Sequence, residues 1–149
     1  MDARTNRSER ALNHLRDLVI RHIFDEAKQK HFAVLGTVSR SGSPHLTVMW
    51  YMLDGEDIVF NTKAGRAKDS NLSRDPRVSL LVYDDSGYRY LRIDGRVRTI
   101  TDADVAQRDI ARLAVRYHGE ERARKQIERF KGESRISYRL STARVYDYR

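Results

Sequence analysis

The chain has 149 residues, 40% of them hydrophobic and 34% charged, a length that suits one domain able to bury its own core without disulfides or a structural metal. It has no cysteine, which excludes disulfides, thiolate metal sites, iron–sulfur clusters and cysteine nucleophiles. The formal charge is +8, from 23 Arg and 6 Lys against 21 acidic residues, but the signs alternate and like charges never run in blocks, so charge alone argues only weakly for nucleic acid.

No apolar run approaches the ~20 residues of a membrane span. The first residues, Met1 to Arg7, are polar and lead into no signal-peptide core, so a cytoplasmic protein is expected. Leu12, Leu15, Val19, His22 and Ile23 recur at helical spacing and predict an N-terminal helix over about 8–30. Strands are expected at 32–38, 45–52 and 57–61, the first two joined by the turn cluster from Ser39 to Pro44. A helix is expected over 64–73, ending before Asp75-Pro76, and a buried strand over 78–83. Residues 90–99 alternate, with Leu91, Ile93, Val97 and Thr99 on one face and Arg92, Asp94, Arg96 and Arg98 on the other. Thr101 is expected to cap a helix whose apolar stripe is Ala106, Ile110, Leu113, Ala114 and Tyr117. A further helix over 120–130 and strands at 135–140 and 143–148 complete the chain. Short strands joined by hairpins, with helices inserted, imply an antiparallel α+β barrel or sheet and not an alternating parallel fold.

The histidines (His14, His22, His31, His45, His118) lack metal-ligand spacing, and no nucleophile elbow, dinucleotide fingerprint or P-loop is present. The most informative stretch runs from Phe60 to Lys68. A strand ends at Asn61 and Thr62, a glycine follows at Gly65, and Arg66 and Lys68 open a helix. A hydroxyl, free backbone N–H groups and two cations suit a phosphate or other anion. The same residues also read as an ordinary helix start with two solvated cations.

Several short motifs follow one another in order. They are Gly36-Thr37-Val38, the Gly42-x-Pro44 turn, an apolar strand around Val48 and Trp50, the Thr62, Arg66, Lys68 cluster, Asn71-Leu72, and Asp75-Pro76-Arg77-Val78. In this set the chain resembles the pyridoxamine-phosphate-oxidase-like superfamily, above all its branch of flavin/deazaflavin oxidoreductases that use coenzyme F-420. The resemblance is good over about 30–98 and looser to Tyr148. It implies a six-stranded antiparallel split β-barrel with flanking helices, of the FMN-binding split barrel type. It also implies a homodimer with its cofactor in a groove between the subunits.

Carried over by position, Thr62, Arg66 and Lys68 would hold the cofactor phosphate, with Ala67 in the same set. Val48, Met49 and Trp50 would lie along the ring, and Asn61 would border the ring or its side chain. Tyr88 would reach in from the partner chain. The pyridoxamine oxidases carry basic residues where this chain has Thr47 and Met52, which favours coenzyme F-420 over FMN. The implied activity is hydride transfer between that cofactor and a small electron-poor organic substrate, with neither nucleic acid nor membrane as partner. An FMN-dependent oxidoreductase and a non-catalytic deazaflavin-binding protein are the alternatives. No catalytic acid or base is assigned.

Overall fold

A computed structural model describes residues 31–148; the helix expected over about 8–30 lies outside the described residues. The elements in order are β1 (Ala33–Val38), β2 (Pro44–Met49), β3 (Met52–Asp54), β4 (Asp57–Lys63), α1 (Ala67–Arg74), β5 (Arg77–Tyr83), β6 (Tyr90–Arg96), β7 (Arg98–Ile100), α2 (Ala103–His118), α3 (Glu120–Lys131), β8 (Arg135–Ser141) and β9 (Val145–Tyr148). They build two antiparallel sheets, one ordered β2-β1-β5-β6-β9 and the other β3-β4-β8-β7. The architecture is α+β, an antiparallel split barrel whose two sheets stay separate. β3, β7 and β9 have three or four residues each, and the other six strands have six or seven.

Two stretches that alternate as single strands are each cut and shared between the sheets. The first cut falls at Trp50 and Tyr51, between β2 and β3. A backbone that leaves its ladder must find other partners. The Tyr117 hydroxyl supplies them, accepting from the Tyr51 N–H at 3.2 Å and lying 3.4 Å from the Tyr51 carbonyl. The second cut falls at Val97, whose N–H bonds to the Pro76 carbonyl at 2.9 Å.

Alternation sets the inner face of the larger sheet, where Ala33, Leu35, Leu80, Val82, Leu91 and Ile93 are fully buried. Ile58, Phe60, Tyr138 and Leu140 of the smaller sheet are equally buried. At Gly95 the sheets approach so closely that an added Cβ would stand 3.0 Å from Leu140 Cδ1. The other face of the smaller sheet is covered by α2 and α3, with Met52 and Val59 packed among Ile110, Leu113, Ala114, Ala123 and Phe130. Asp102, and not Thr101, caps α2, its carboxylate accepting from the N–H groups of Asp104 and Val105. Both residues are good caps, and the helix begins one residue later than Thr101 requires. Among the described residues no helix is long and apolar enough to cross a membrane.

Candidate functional site

β4 and β8 pair over their whole length, setting Asn61 opposite Ser137 and Lys63 opposite Arg135. Beyond Lys63 the chain must turn sharply into α1. Gly65 does this with φ of +83°, in the left-handed region that glycine adopts without strain. The helix starts at Ala67, not at 64, because the turn uses up Ala64 and Gly65. Its cap residue Arg66 makes no side-chain capping bond. The first N–H groups of a helix have no acceptor within it. Asp69 accepts from the Gly65 N–H at 2.8 Å and from the Tyr138 hydroxyl at 2.7 Å, which pins the helix start against β8. Burial, and then the Asp69 carboxylate, push the Tyr138 phenol well above the usual tyrosine range.

At this corner lies an open cleft of about 310 Å³. One wall is Thr62, Arg66 and Lys68; a second is Arg129, Phe130 and Arg135; a third is Phe32, Val48, Met49 and Trp50. Asn61, Ile110 and Leu113 complete it. The aromatic wall is stiffened from behind by Tyr117, stacked between Phe32 and Trp50 with ring centroids 5.3 and 5.2 Å away.

The cleft is strongly cationic. Arg66, Lys68, Arg129 and Arg135 line it, and of these Arg135 pairs with Glu133 at 2.8 Å. Lys68 is only 9% exposed and has no carboxylate within ion-pair distance among the described residues. Burial first, then Arg66 and Arg135, hold its ammonium below the usual lysine range. Burial likewise lowers Arg135, with Glu133 opposing and Arg66 and Arg129 adding to the shift. Thr62 is 3% exposed and its hydroxyl has no hydrogen-bond partner among the described residues. An orphaned buried hydroxyl costs about 1–3 kcal/mol, so a donor beside unpaired cations and open helix N–H groups fits an anion that is satisfied only when bound.

Seven of the nine residues expected from the sequence line this one cleft: Val48, Met49, Trp50, Asn61, Thr62, Arg66 and Lys68. Ala67 is exposed beside it at the first turn of α1. Tyr88 is 84% exposed in the turn between β5 and β6 and is not part of the lining. Two expectations change in detail. Lys68 is buried, not solvent-accessible, although it lines the cleft. The Asn61 amide is spent within the chain, donating to the Ala106 carbonyl and Ser137 Oγ at 2.9 Å each and accepting from Arg135 Nε at 2.8 Å. Of the two positions where basic residues are missing, Met52 packs in the core and Thr47 is not part of the lining, so neither touches this cleft.

Arg129, Phe130 and Arg135 escaped sequence reading. The one local signal was a cluster of cations around an aromatic residue before a strand. Nothing in it showed that β8 pairs with β4. No group of three metal-ligating side chains occurs among the described residues, and the lining holds neither histidine nor carboxylate. The arrangement can therefore bind and orient an anionic, partly aromatic ligand, and offers no nucleophile–base pair.

A family model of pyridoxamine 5'-phosphate oxidase matches residues 20–146. Among solved structures, a conserved hypothetical protein of Mycobacterium tuberculosis is 26% identical with a TM-score of 0.70, covering 91% of this chain and 82% of that one. A protein named F420 reductase is 24% identical with a TM-score of 0.66, covering 85% and 94%. A heme storage protein of Vibrio cholerae is 17% identical with a TM-score of 0.65, covering 87% and 92%. The family model spans most of the chain, and the chain belongs to the pyridoxamine 5'-phosphate oxidase family.

Proposed function

We propose that the cleft binds the phosphorylated deazaflavin coenzyme F-420, and that the protein is an oxidoreductase passing a hydride between this cofactor and a small electron-poor organic molecule. The observation that carries the reading is the buried Thr62 hydroxyl, without a partner among the described residues, beside Arg66 and Lys68 at the start of α1. A phosphate there would accept from Thr62, from the N–H groups of the first helical turn and from Arg66, while Lys68 supplies a point charge. The four cations of the lining suit a cofactor that carries carboxylates as well as a phosphodiester. The neighbour named F420 reductase supports the same choice. Bound there, the ring system would supply the hydride chemistry. The chain would bind and orient it, with Val48, Trp50 and Phe32 as an apolar wall that keeps water from one side.

The same reading makes the protein a homodimer. β2 is an edge strand that exposes Leu46 and Val48, each 67% exposed, and the same sheet exposes Tyr83, Tyr146 and Tyr148. Val48 belongs both to this outer face and to the cleft, so a second copy would wall the site, with Tyr88 free to reach across. Light scattering at micromolar concentration should give a dimer, and a monomer in the presence of cofactor would refute the shared site. Fluorescence titration of the cofactor-free protein should show tighter binding of coenzyme F-420 than of FMN. A tenfold preference for FMN, about 1.4 kcal/mol, or no binding of either, would overturn the assignment.

A further inference from the structure

We infer that Arg135 is a fourth ligand for the anion in this cleft and that Asn61 is the residue that aims it. The inference rests on reading the cleft as an anion site, not on the identity of the ring system. Arg135 opens β8, opposite Lys63 in the ladder and one turn of the pleat from Asn61 on the same face. Its Nε donates to Asn61 Oδ1 at 2.8 Å, and its Nη1 donates to Glu133 Oε2 at 2.8 Å. A guanidinium has five N–H groups. The three that remain have no acceptor among the described residues, although the side chain is only 8% exposed. Those donors open onto the cleft, where an anion can accept from them in place of water.

The aim of the fork is fixed from three sides. Phe130 lies under the guanidinium, 4.9 Å from its ring centroid, and sets its plane. Glu133 holds one edge. Asn61 holds the other, and its own amide cannot flip. Both N–H groups are committed, to the Ala106 carbonyl of α2 and to Ser137 Oγ of β8. A flipped amide would turn its NH₂ toward the guanidinium and its oxygen toward the Ala106 carbonyl. Three elements therefore converge on Asn61 to present one acceptor to Arg135. The free edge of the fork is left in the cleft with Arg66 and Lys68, whose like charges make the anion-free arrangement costly. A planar fork with two parallel donors matches two oxygens of a phosphoryl or carboxylate group.

The test measures pyrophosphate and coenzyme F-420 affinities by calorimetry on the purified, cofactor-free protein, with melting curves for every variant. Arg135→Ala should weaken pyrophosphate about ten- to hundredfold, the usual cost of a charge-assisted contact. Arg135→Lys keeps the charge and the stem over Phe130 but loses the fork, and should still bind several-fold more weakly. Asn61→Ala should weaken pyrophosphate binding although Asn61 is not placed on the anion, and should add nothing in the Arg135→Ala background. That coupling separates aiming from mere structural support. Wild-type affinity in both Arg135 variants would overturn the inference, as would an Asn61→Ala effect that persists undiminished in Arg135→Ala. Pyrophosphate binding that follows these expectations in a protein that ignores coenzyme F-420 would sink the proposed cofactor and leave the Arg135 assignment standing. A wild-type protein that binds neither would overturn both.

Discussion

Replacing Lys68 by methionine should make the ligand-free protein more stable while it weakens the anion site. The cation sits 9% exposed beside Arg66 and Arg135, with no carboxylate partner among the described residues. Methionine keeps the unbranched stem and removes the charge. Burying even a neutral polar group without a partner costs about 1–3 kcal/mol in proteins, so relief of roughly 1 kcal/mol is a conservative expectation. For a chain of this length that is about 3 °C in melting temperature.

The pH dependence carries the same sign. The folded state holds the Lys68 proton less tightly than the unfolded chain, whose ordinary lysine value is 10.5. Between the lowered value and 10.5 the unfolded chain carries more protons, so wild-type stability gains from this group as pH rises through that window. Below the window the full penalty is present, and Lys68→Met removes it. Losing one charge-assisted contact should weaken coenzyme F-420 or pyrophosphate by about ten- to hundredfold. Differential scanning fluorimetry without ligand, alongside the two titrations, measures both effects. A variant that melts lower than wild type and binds as well would refute the reasoning at its base.

Thr62→Val, nearly isosteric, should leave the ligand-free protein as stable or more so by up to about 1–3 kcal/mol, because the hydroxyl it removes is buried and unpaired; anion affinity should fall, and unchanged titrations would take Thr62 out of the site. Gly95→Ala should destabilise by about 1–3 kcal/mol, as its Cβ would press on Leu140 Cδ1 at 3.0 Å where the sheets meet; denaturant unfolding with an unchanged midpoint would show that the seam yields easily. Arg77 holds the Asp75 carboxyl down to about 2, chiefly through side-chain and backbone hydrogen bonds. That depressed value gives stability present above the ordinary 3.8 and lost as pH falls through about 2, so Arg77→Ala should move acid unfolding to higher pH, while an unmoved Asp75 titration by NMR would count against the pair.

The strands and the local half of the site were legible in sequence for one reason: their signals are short-range. Leu91 and Ile93 are fully buried, as the alternation of β6 requires. Thr62, Arg66 and Lys68 lie within seven residues of one another, and the Gly65 turn gathers them without help from elsewhere. The cuts at Tyr51 and Val97 were not legible, because alternation continues across each and period alone does not say which sheet a residue joins. Their partners, Tyr117 and the Pro76 carbonyl, lie 66 and 21 residues away. Arg129 and Arg135 were hidden similarly. Arg135 is an ordinary strand-opening cation until β8 pairs with β4, and only that register sets it beside Asn61.

That pairing also bears on when the site comes into being. Asn61 and Arg135 are 74 residues apart, so their contact waits on the closure of a long loop. Contacts of such separation are slow to form and fall late in folding. If the β4–β8 seam is still open at the folding barrier, an anion has nothing to grip while the chain climbs it. Added pyrophosphate would then leave the refolding rate alone and slow unfolding, since a ligand that meets only the finished structure deepens the native well without lowering the barrier from the unfolded side. The protein's lifetime, more than its speed of folding, would then follow the supply of whatever fills the cleft.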